Sequence, residues 1–341
     1  MNKEYSKAGI FRTKFWVKNE WHYINVDDRL PVRSWGNGFR PWATWPSKGG
    51  EAWWMPILEK SFAKLDQSYE RIIAGNGAEG MRTLTGMPTF DLKHNGNSRK
   101  DLYRIHKFIS EKNYPGTAGC CNNVPGGIDG LVSGHAYSFL DVQELKDASG
   151  KVVHTIAKVR NPWGKEKYTG KFSDKDSSWT PEWKKQVGYV DADDGAFWMP
   201  YKNFIKFFSY TNVAYTQDYK TKLKTYVAND RQKMLKIKNP VDQELYITGE
   251  MYSPRHYPRA SKCVPKNNVV MYFEQNGQPI EKLKPYTFIS WWGFGSTGKY
   301  EGKLPKGDYE FWIINQNAPK GPKDIAFQIS AKDELPKISG W

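Results

Sequence analysis

The stretch GHAYSFLDVQELKDASGKVVHTIAKVRNPWG, residues 134–164, predicts a β-hairpin. Its two halves, residues 136–145 and 152–159, are rich in β-branched, aromatic and aliphatic side chains, which favour an extended backbone. The polar, glycine-containing run between the two halves is typical of a turn. Because antiparallel strands place the beginning of one strand beside the end of the next, the hairpin predicts that His135 and Asn161 are neighbours.

A histidine beside an asparagine amide supplies two of the three groups of a Cys-His-Asn site. The imidazole deprotonates a thiol, and the amide oxygen fixes the tautomer and orientation of the ring. Pro162 ends the strand after Asn161, and Trp163 is placed to shield the pair from water. The alternative for His135 is a structural histidine, and the alternative for Asn161 is a turn-forming residue before proline. The hairpin register favours His135 as the base and Asn161 as the residue that orients it.

Several further segments carry a family pattern that extends over roughly residues 5 to 215. They include AGIF at 8–11, FW at 15–16, NVDDRLP at 25–31, LEKSFAKL at 58–65, GHAYS at 134–138, VRNPWG at 159–164 and DGAFWM at 194–199. In their order and spacing the chain resembles calpains, intracellular papain-like cysteine proteases that are usually controlled by calcium. The resemblance implies hydrolysis of peptide bonds in protein substrates, with His135 and Asn161 as catalytic residues and Trp163 in support.

The resemblance also implies an α+β fold in two parts. Residues 1–215 correspond to a partial papain-like protease core. Residues 216–341 contain regularly spaced short β-type runs, which predict an antiparallel sandwich or barrel. Their position, and the turn-like segment LPKGDY at 304–309, resemble calpain domain III, a C2-like β-sandwich.

The nucleophile is the group that this pattern does not supply. Calpains carry the catalytic cysteine in a Gly-Asp-Cys-Trp type segment upstream of the position that residues 8–11 match, and this sequence begins at Met1. We therefore expect the cysteine helix to be missing, and interpret Cys120 and Cys121 as structural. Two interpretations stay open: an endopeptidase whose sequence is incomplete at its N-terminus, and a non-catalytic calpain-like pseudoprotease that acts as a binding or regulatory protein.

Calcium is the cofactor that the resemblance implies. In the half of the core that holds the histidine, the four acidic family positions fall on Lys167, Asp174, Asp194 and Ala196. Asp174 and Asp194 are thus the remaining candidate ligands of a degraded site, and Glu166 and Asp193 would compensate only with a shift in register. In the other half a family glutamate aligns with Ala52 or Glu51, and the remaining ligands belong to the upstream segment.

Composition and charge limit the cellular compartment and the partners that the sequence predicts. Three cysteines in 341 residues argue against a disulfide scaffold and for a reducing compartment, and a polar N-terminus without an apolar signal segment favours the cytoplasm. No run is long and apolar enough to predict a transmembrane segment. The net charge of +15 is spread along the chain, so we predict a solvated surface and no nucleic-acid partner. The basic, proline-rich residues 253–266 are compatible with an anionic lipid surface.

Overall fold

The computed structural model describes most of the chain and divides it into two compact units. The first unit combines residues Met1–Gly86 with Tyr219–Trp341, and the second is Met87–Asp218. The described residues are 8–36, 38–41, 53–120, 128–216, 226–228, 232–250, 268–280, 286–289, 297–315 and 325–339. Within this part of the chain, no helix is both long and apolar enough to cross a membrane.

The first unit begins with a two-stranded antiparallel ribbon, as the alternating sequence of residues 8–26 predicts. Its strands are β1 (Ile10–Val17) and β2 (Glu20–Asp27). The turn between them places Lys18 and Asn19 at positive φ. A second, shorter hairpin follows with β3 (Val32–Trp35) and β4 (Gly38–Pro41), within a region that the sequence predicts as loop-like.

Two helices complete the N-terminal part of the first unit. Apolar residues recur at helical spacing from residue 53 to about 75 and predict a single helix. The helix α1 (Trp54–Leu65) is shorter and is followed by a 3-10 turn at Tyr69–Ile72. The chain leaves the helix at Gln67, whose φ of 79° is left-handed. The helix α2 (Gly77–Thr85) was not predicted, although Asn76 caps its N-terminus and Gly86 ends it at a φ of 70°.

The second unit is a six-stranded antiparallel sheet with helices packed against it. Its strand order is β5-β10-β6-β7-β8-β9. In chain order the elements are β5 (Thr89–Lys93), α3 (Arg99–Glu111), β6 (Gly116–Cys120), β7 (Ala136–Lys146), β8 (Val152–Arg160), α4 (Pro181–Gln186), β9 (Ala196–Pro200), α5 (Tyr201–Phe207) and β10 (Phe208–Ala214). The helix predicted over residues 97–114 is thus present as α3, and Ser98 caps its N-terminus.

The β7–β8 hairpin lies inside this sheet and supplies much of its core. The paired residues run from Ser138 opposite Arg160 to Lys146 opposite Val152, with a bulge after Phe139. Side chains that point to the core along both strands are fully buried, among them Phe139, Val142, Leu145, Ile156 and Val159. Burying each large side chain stabilises the folded state by about 2 kcal/mol. The hairpin ends are therefore held in place by a rigid core.

The C-terminal part of the first unit is a β-sandwich. One sheet has the order β11-β19-β13-β17, and the other has the order β15-β14-β18-β12-β20 with β16 paired to β14. The strands are β11 (Tyr226–Ala228), β12 (Gln232–Asn239), β13 (Gln243–Glu250), β14 (Asn268–Gln275), β15 (Gln278–Pro279), β16 (Tyr286–Ile289), β17 (Thr297–Leu304), β18 (Gly307–Asn315), β19 (Ile325–Ala331) and β20 (Lys337–Ser339). Leu235 and Phe311 of one sheet share a buried cluster with Leu245 and Ile247 of the other. The α+β fold with a C-terminal sandwich agrees with the prediction.

A buried arginine joins the two segments of the first unit. Arg82 of α2 is 1% exposed and donates hydrogen bonds to Asn19 Oδ1 at 2.7 Å and to Gln328 Oε1 of β19 at 2.9 Å. The Gln328 side-chain amide in turn donates to the Gly86 carbonyl at 3.3 Å. These contacts hold residues before 86 to the sandwich. The domain bounds 1–215 and 216–341 stay a prediction.

Candidate active site

The hairpin brings the two predicted catalytic residues together. His135 directly precedes β7, and Asn161 directly follows β8. His135 Nε2 lies 3.0 Å from Asn161 Oδ1. Backbone hydrogen bonds fix both residues: the His135 carbonyl accepts from Cys120 N at 2.9 Å, and Asn161 N donates to the Gly195 carbonyl at 2.8 Å. The proximity of the two side chains follows from strand register.

The Asn161 amide determines the tautomer of His135. The backbone N–H of Trp163, which is always a donor, lies 3.1 Å from Asn161 Oδ1, so this atom is the amide oxygen. The His135 nitrogen that faces the same oxygen must therefore donate. In the neutral imidazole Nε2 carries the proton, and Nδ1 holds a free electron pair. That arrangement leaves a base on the side of the ring away from Asn161.

Trp163 covers part of the imidazole. The Trp163 and His135 ring centroids are 4.5 Å apart with an interplanar angle of 38°, and Tyr137 meets His135 edge-on at 5.0 Å. Trp163 itself is 55% exposed, whereas Asn161 is 1% exposed. The aromatic rings thus exclude water from the bond between His135 and Asn161 while the site stays close to the surface.

Two glycines allow the loop after β8 to pack closely. Gly195 has a φ of 87°, and a Cβ atom there would lie 2.6 Å from the Asn161 carbonyl oxygen. Gly130 has a φ of 82°, and a Cβ atom there would lie 1.7 Å from the Lys167 carbonyl oxygen. Any side chain at either position would displace the loop that carries Asn161 and Trp163. The sequence analysis did not identify this role, although both glycines lie near the family motifs.

The carboxylates predicted as calcium ligands lie next to this loop. Asp174 N donates to Glu166 Oε1 at 3.3 Å, so these two residues are neighbours. Burial and the Asp174 carboxylate raise the pKa of Glu166 to about 7. Burial and the Asp191 carboxylate raise the pKa of Asp174 to about 6. Asp194 Oδ1 instead accepts from Ala196 N at 2.8 Å, within its own turn.

The metal site predicted at these residues stays a prediction. Calcium takes six to eight oxygen ligands, largely from carboxylates and carbonyls. Lys167 and Ala196 provide no carboxylate, and the Asp194 carboxylate caps its own turn. Across the described ranges, no group of three or more histidine, cysteine, aspartate or glutamate side chains is arranged to hold a metal ion. The other predicted calcium position, at Glu51 or Ala52, lies outside the described residues, as do residues 253–266.

The structure gives no nucleophile at the site from the cysteines it describes. Cys120 ends β6, is 1% exposed and is disulfide-bonded. Cys120 was expected to be a structural residue with a free thiol, and the free thiol is wrong. A buried, oxidised sulfur fits the expectation that Cys120 is not the nucleophile. Cys121 lies outside the described residues.

The core of the second unit contains a histidine pair that the sequence analysis did not identify. His94 Nε2 and His106 Nε2 each lie 2.9 Å from Thr211 Oγ1. The other nitrogen of His94 lies 2.6 Å from the Phe208 carbonyl oxygen, and the other nitrogen of His106 lies 2.9 Å from the Tyr201 hydroxyl. Burial lowers the pKa of His94 to about 4 and that of His106 to about 3.

Comparison with known proteins gives the family. Residues 1–215 match the family model described as calpain family cysteine protease. The match covers most of the chain and includes every predicted site residue. The chain therefore belongs to the calpain family of cysteine proteases.

Individual relatives agree with this assignment. Calpain-8 of Mus musculus is 36% identical over 214 residues, which are 59% of this chain and 29% of that protein. The calpain-1 catalytic subunit of Homo sapiens is 32% identical over 213 residues, 59% of this chain and 28% of that protein. Calpain-9 of Homo sapiens is 30% identical over 210 residues, 58% of this chain and 29% of that protein. The chain thus matches less than a third of the length of these curated relatives.

Proposed function

We propose that this chain carries the histidine and asparagine half of a calpain-type cysteine endopeptidase site. The observation that supports the proposal is the hydrogen bond from His135 Nε2 to Asn161 Oδ1, with Trp163 N on the same oxygen. This arrangement leaves His135 Nδ1 as a base. Family membership adds the chemistry, because cysteine proteases need a histidine in this state beside a thiol.

In the proposed reaction, His135 Nδ1 accepts the proton of a cysteine thiol, and the thiolate attacks the carbonyl carbon of a peptide bond. The protonated imidazole then donates its proton to the leaving amine, which breaks the peptide bond and leaves a thioacyl-enzyme. Water, deprotonated by His135, hydrolyses the thioester and restores the thiol. Asn161 holds the ring orientation and stabilises the imidazolium throughout. The nucleophile of this proposal is a cysteine that precedes the segment at residues 8–11.

The finer expectations belong to the same proposal. The substrates are proteins or peptides, and the setting is the cytoplasm. The regulation by calcium that the family resemblance implies receives no support from the described residues around Asp174 and Asp194, where no group of three or more potential ligands is arranged to hold a metal ion.

A second candidate function is that of a calpain-like pseudoprotease that binds proteins without cutting them. The observation that favours it is the replacement of two acidic family positions by Lys167 and Ala196. Loss of these carboxylates is what relaxed selection on a calcium-controlled protease would leave. The two functions differ in whether a cysteine meets His135 in the native protein.

The experiment that tests the proposal uses the protein isolated from its natural source. Intact mass and N-terminal sequencing establish whether a cysteine segment precedes residue 8, and hydrolysis of an unfolded protein substrate is then measured for the corresponding recombinant chain. We expect His135→Ala to abolish hydrolysis and His154→Gln, the matched control on β8, to retain it. Hydrolysis that His135→Ala does not reduce would contradict the role of His135 as the base. No hydrolysis by the unaltered protein would leave the pseudoprotease as the better account.

A further inference from the structure

The loop that carries Trp163 also carries a cation directed at its ring. Lys167 Nζ lies 5.0 Å from the centroid of the Trp163 ring, within the range of a cation–π contact. The same indole lies 4.5 Å from the His135 imidazole. One aromatic side chain is therefore in contact with both the lysine ammonium group and the predicted base.

The backbone of Lys167 is held firmly, so the lysine side chain starts from a fixed point. Gly130 packs against the Lys167 carbonyl so closely that no side chain fits between them. Thr169 N donates to the Asp129 carbonyl at 2.8 Å. The intervening Tyr168 is buried and stacks on Phe197 with the centroids 4.9 Å apart. The two residues that follow Lys167 in this loop are thus anchored to the body of the second unit.

Lys167 also lies at a position where the resemblance predicts an acidic calcium ligand. A carboxylate there would be repelled by the negative face of the indole, whereas an ammonium group is attracted to it. Among the described residues around this position, no group of three or more histidine, cysteine, aspartate or glutamate side chains is arranged to hold a metal ion. The chain thus has a fixed positive charge beside Trp163 in place of part of a metal site.

We propose that Lys167 is a positioning residue of the candidate active site, which holds the Trp163 indole against the His135 imidazole without calcium. The inference rests on the proposed function for its relevance to catalysis, but its geometry concerns only the second unit. Lys167 acts through Trp163 and does not contact His135 itself. The position of the Trp163 ring over the imidazole consequently depends on Lys167 and not on calcium.

The test measures how fast diethyl pyrocarbonate modifies His135, followed by mass spectrometry of the peptide that contains it. This reagent attacks the free nitrogen of a neutral imidazole, so cover by Trp163 slows it. An exposed cation–π contact corresponds to about a threefold effect on an equilibrium. We expect Lys167→Met to raise the rate about threefold and Trp163→Ala to raise it further.

Lys165→Met is the matched control, because in the described part of the chain Lys165 has no cation–π contact. Its rate should equal that of the unaltered protein, as should the rate of the unaltered protein in calcium chloride. Circular dichroism confirms that each variant is folded. Equal rates for Lys167→Met and Lys165→Met would overturn the inference, and so would a calcium-dependent rate in the unaltered protein. Peptidase activity does not enter the measurement, so failure of the proposed function would appear separately.

Discussion

The second unit contains two hydrogen-bonded arrangements of histidine that differ in one respect. In the open pair, His135 and Asn161, one ring nitrogen is bonded and the other is available. In the closed pair, His94 and His106, all four ring nitrogens have partners inside the core. Both arrangements fix the imidazole, but only the open pair leaves it an electron pair for chemistry.

The hydrogen bonds around Thr211 fix the tautomers of both histidines in the closed pair. His94 Nδ1 must donate to the Phe208 carbonyl, so His94 Nε2 accepts the single hydroxyl proton of Thr211. His106 Nε2 must then donate to Thr211 Oγ1, and its Nδ1 accepts from Tyr201. No proton is left to exchange without breaking a buried hydrogen bond. The closed pair therefore has a structural role, which is also the ordinary interpretation of a single histidine in a sequence.

The largest expected effect comes from removing the hydroxyl that joins the closed pair. Thr211→Val leaves one acceptor and one donor nitrogen buried without a partner, at a cost of about 4 kcal/mol in the free energy of unfolding. Urea denaturation of the purified chain measures it. Thr211→Ser keeps the hydroxyl and should cost about 1 kcal/mol, as should His135→Ala at the open pair. A cost for Thr211→Val no larger than that for His135→Ala would remove the distinction between the pairs.

A second effect concerns pH. Unfolded histidine binds protons near its ordinary pKa of 6.5, whereas folded His94 does so only near 4. Between these values the unfolded state holds more protons, so the stability that His94 contributes falls as pH falls. The difference in unfolding free energy between the unaltered chain and His94→Gln should decrease by about 3 kcal/mol from neutral pH to pH about 4. A difference that does not change with pH would contradict the closed, neutral state of this histidine.

A smaller effect of opposite sign is expected beside the open pair. The pKa of Glu166 is raised from 4.5 to about 7, so the folded state holds a proton between these values that the unfolded state has lost. Stability therefore falls as pH rises through this window. Because the Glu166 carboxyl is only half-buried and solvent screens it, Glu166→Gln should relieve a loss of about 1 kcal/mol above the window. The advantage should vanish below the ordinary glutamate pKa.

Glu111→Gln is the matched control for Glu166→Gln, because the Glu111 side chain is 61% exposed at the end of α3. Its effect on unfolding should be small, because exposed charges contribute little to stability. Thermal unfolding scans across the pH range compare the two variants. If both variants behaved alike, the Glu166 carboxylate would be solvated, which would contradict its raised pKa.

The sequence predicts the open pair well because that pair depends on local register. A hairpin with recognisable strands and turn places its two ends together, so His135 and Asn161 could be paired from the sequence alone. Alternation of side chains predicted the ribbon at the N-terminus, and regularly spaced β-type runs predicted the sandwich. Helix α2 was not predicted, because its signals are only a capping asparagine and a terminal glycine around a short polar segment.

The closed pair depends on tertiary contacts that no local pattern records. His94 follows the end of β5, His106 lies in α3 and Thr211 lies in β10. His106 and Thr211 are 105 residues apart along the chain, so no strand register relates them. Lys167 is an intermediate case. Its replacement of an acidic family position was visible in the sequence, whereas its contact with Trp163 appeared only in the structure.

The most direct test of the distinction between the open and closed pairs is nitrogen NMR of the histidine rings in protein labelled with ¹⁵N-histidine. Ring shifts report which nitrogen carries the proton in the neutral form. We expect His135 to carry it on Nε2 and to have a free Nδ1, with His94 protonated on Nδ1 and His106 on Nε2. A proton on Nδ1 of His135 would mean that Asn161 does not set its tautomer, and would contradict the account of this residue as a positioned base.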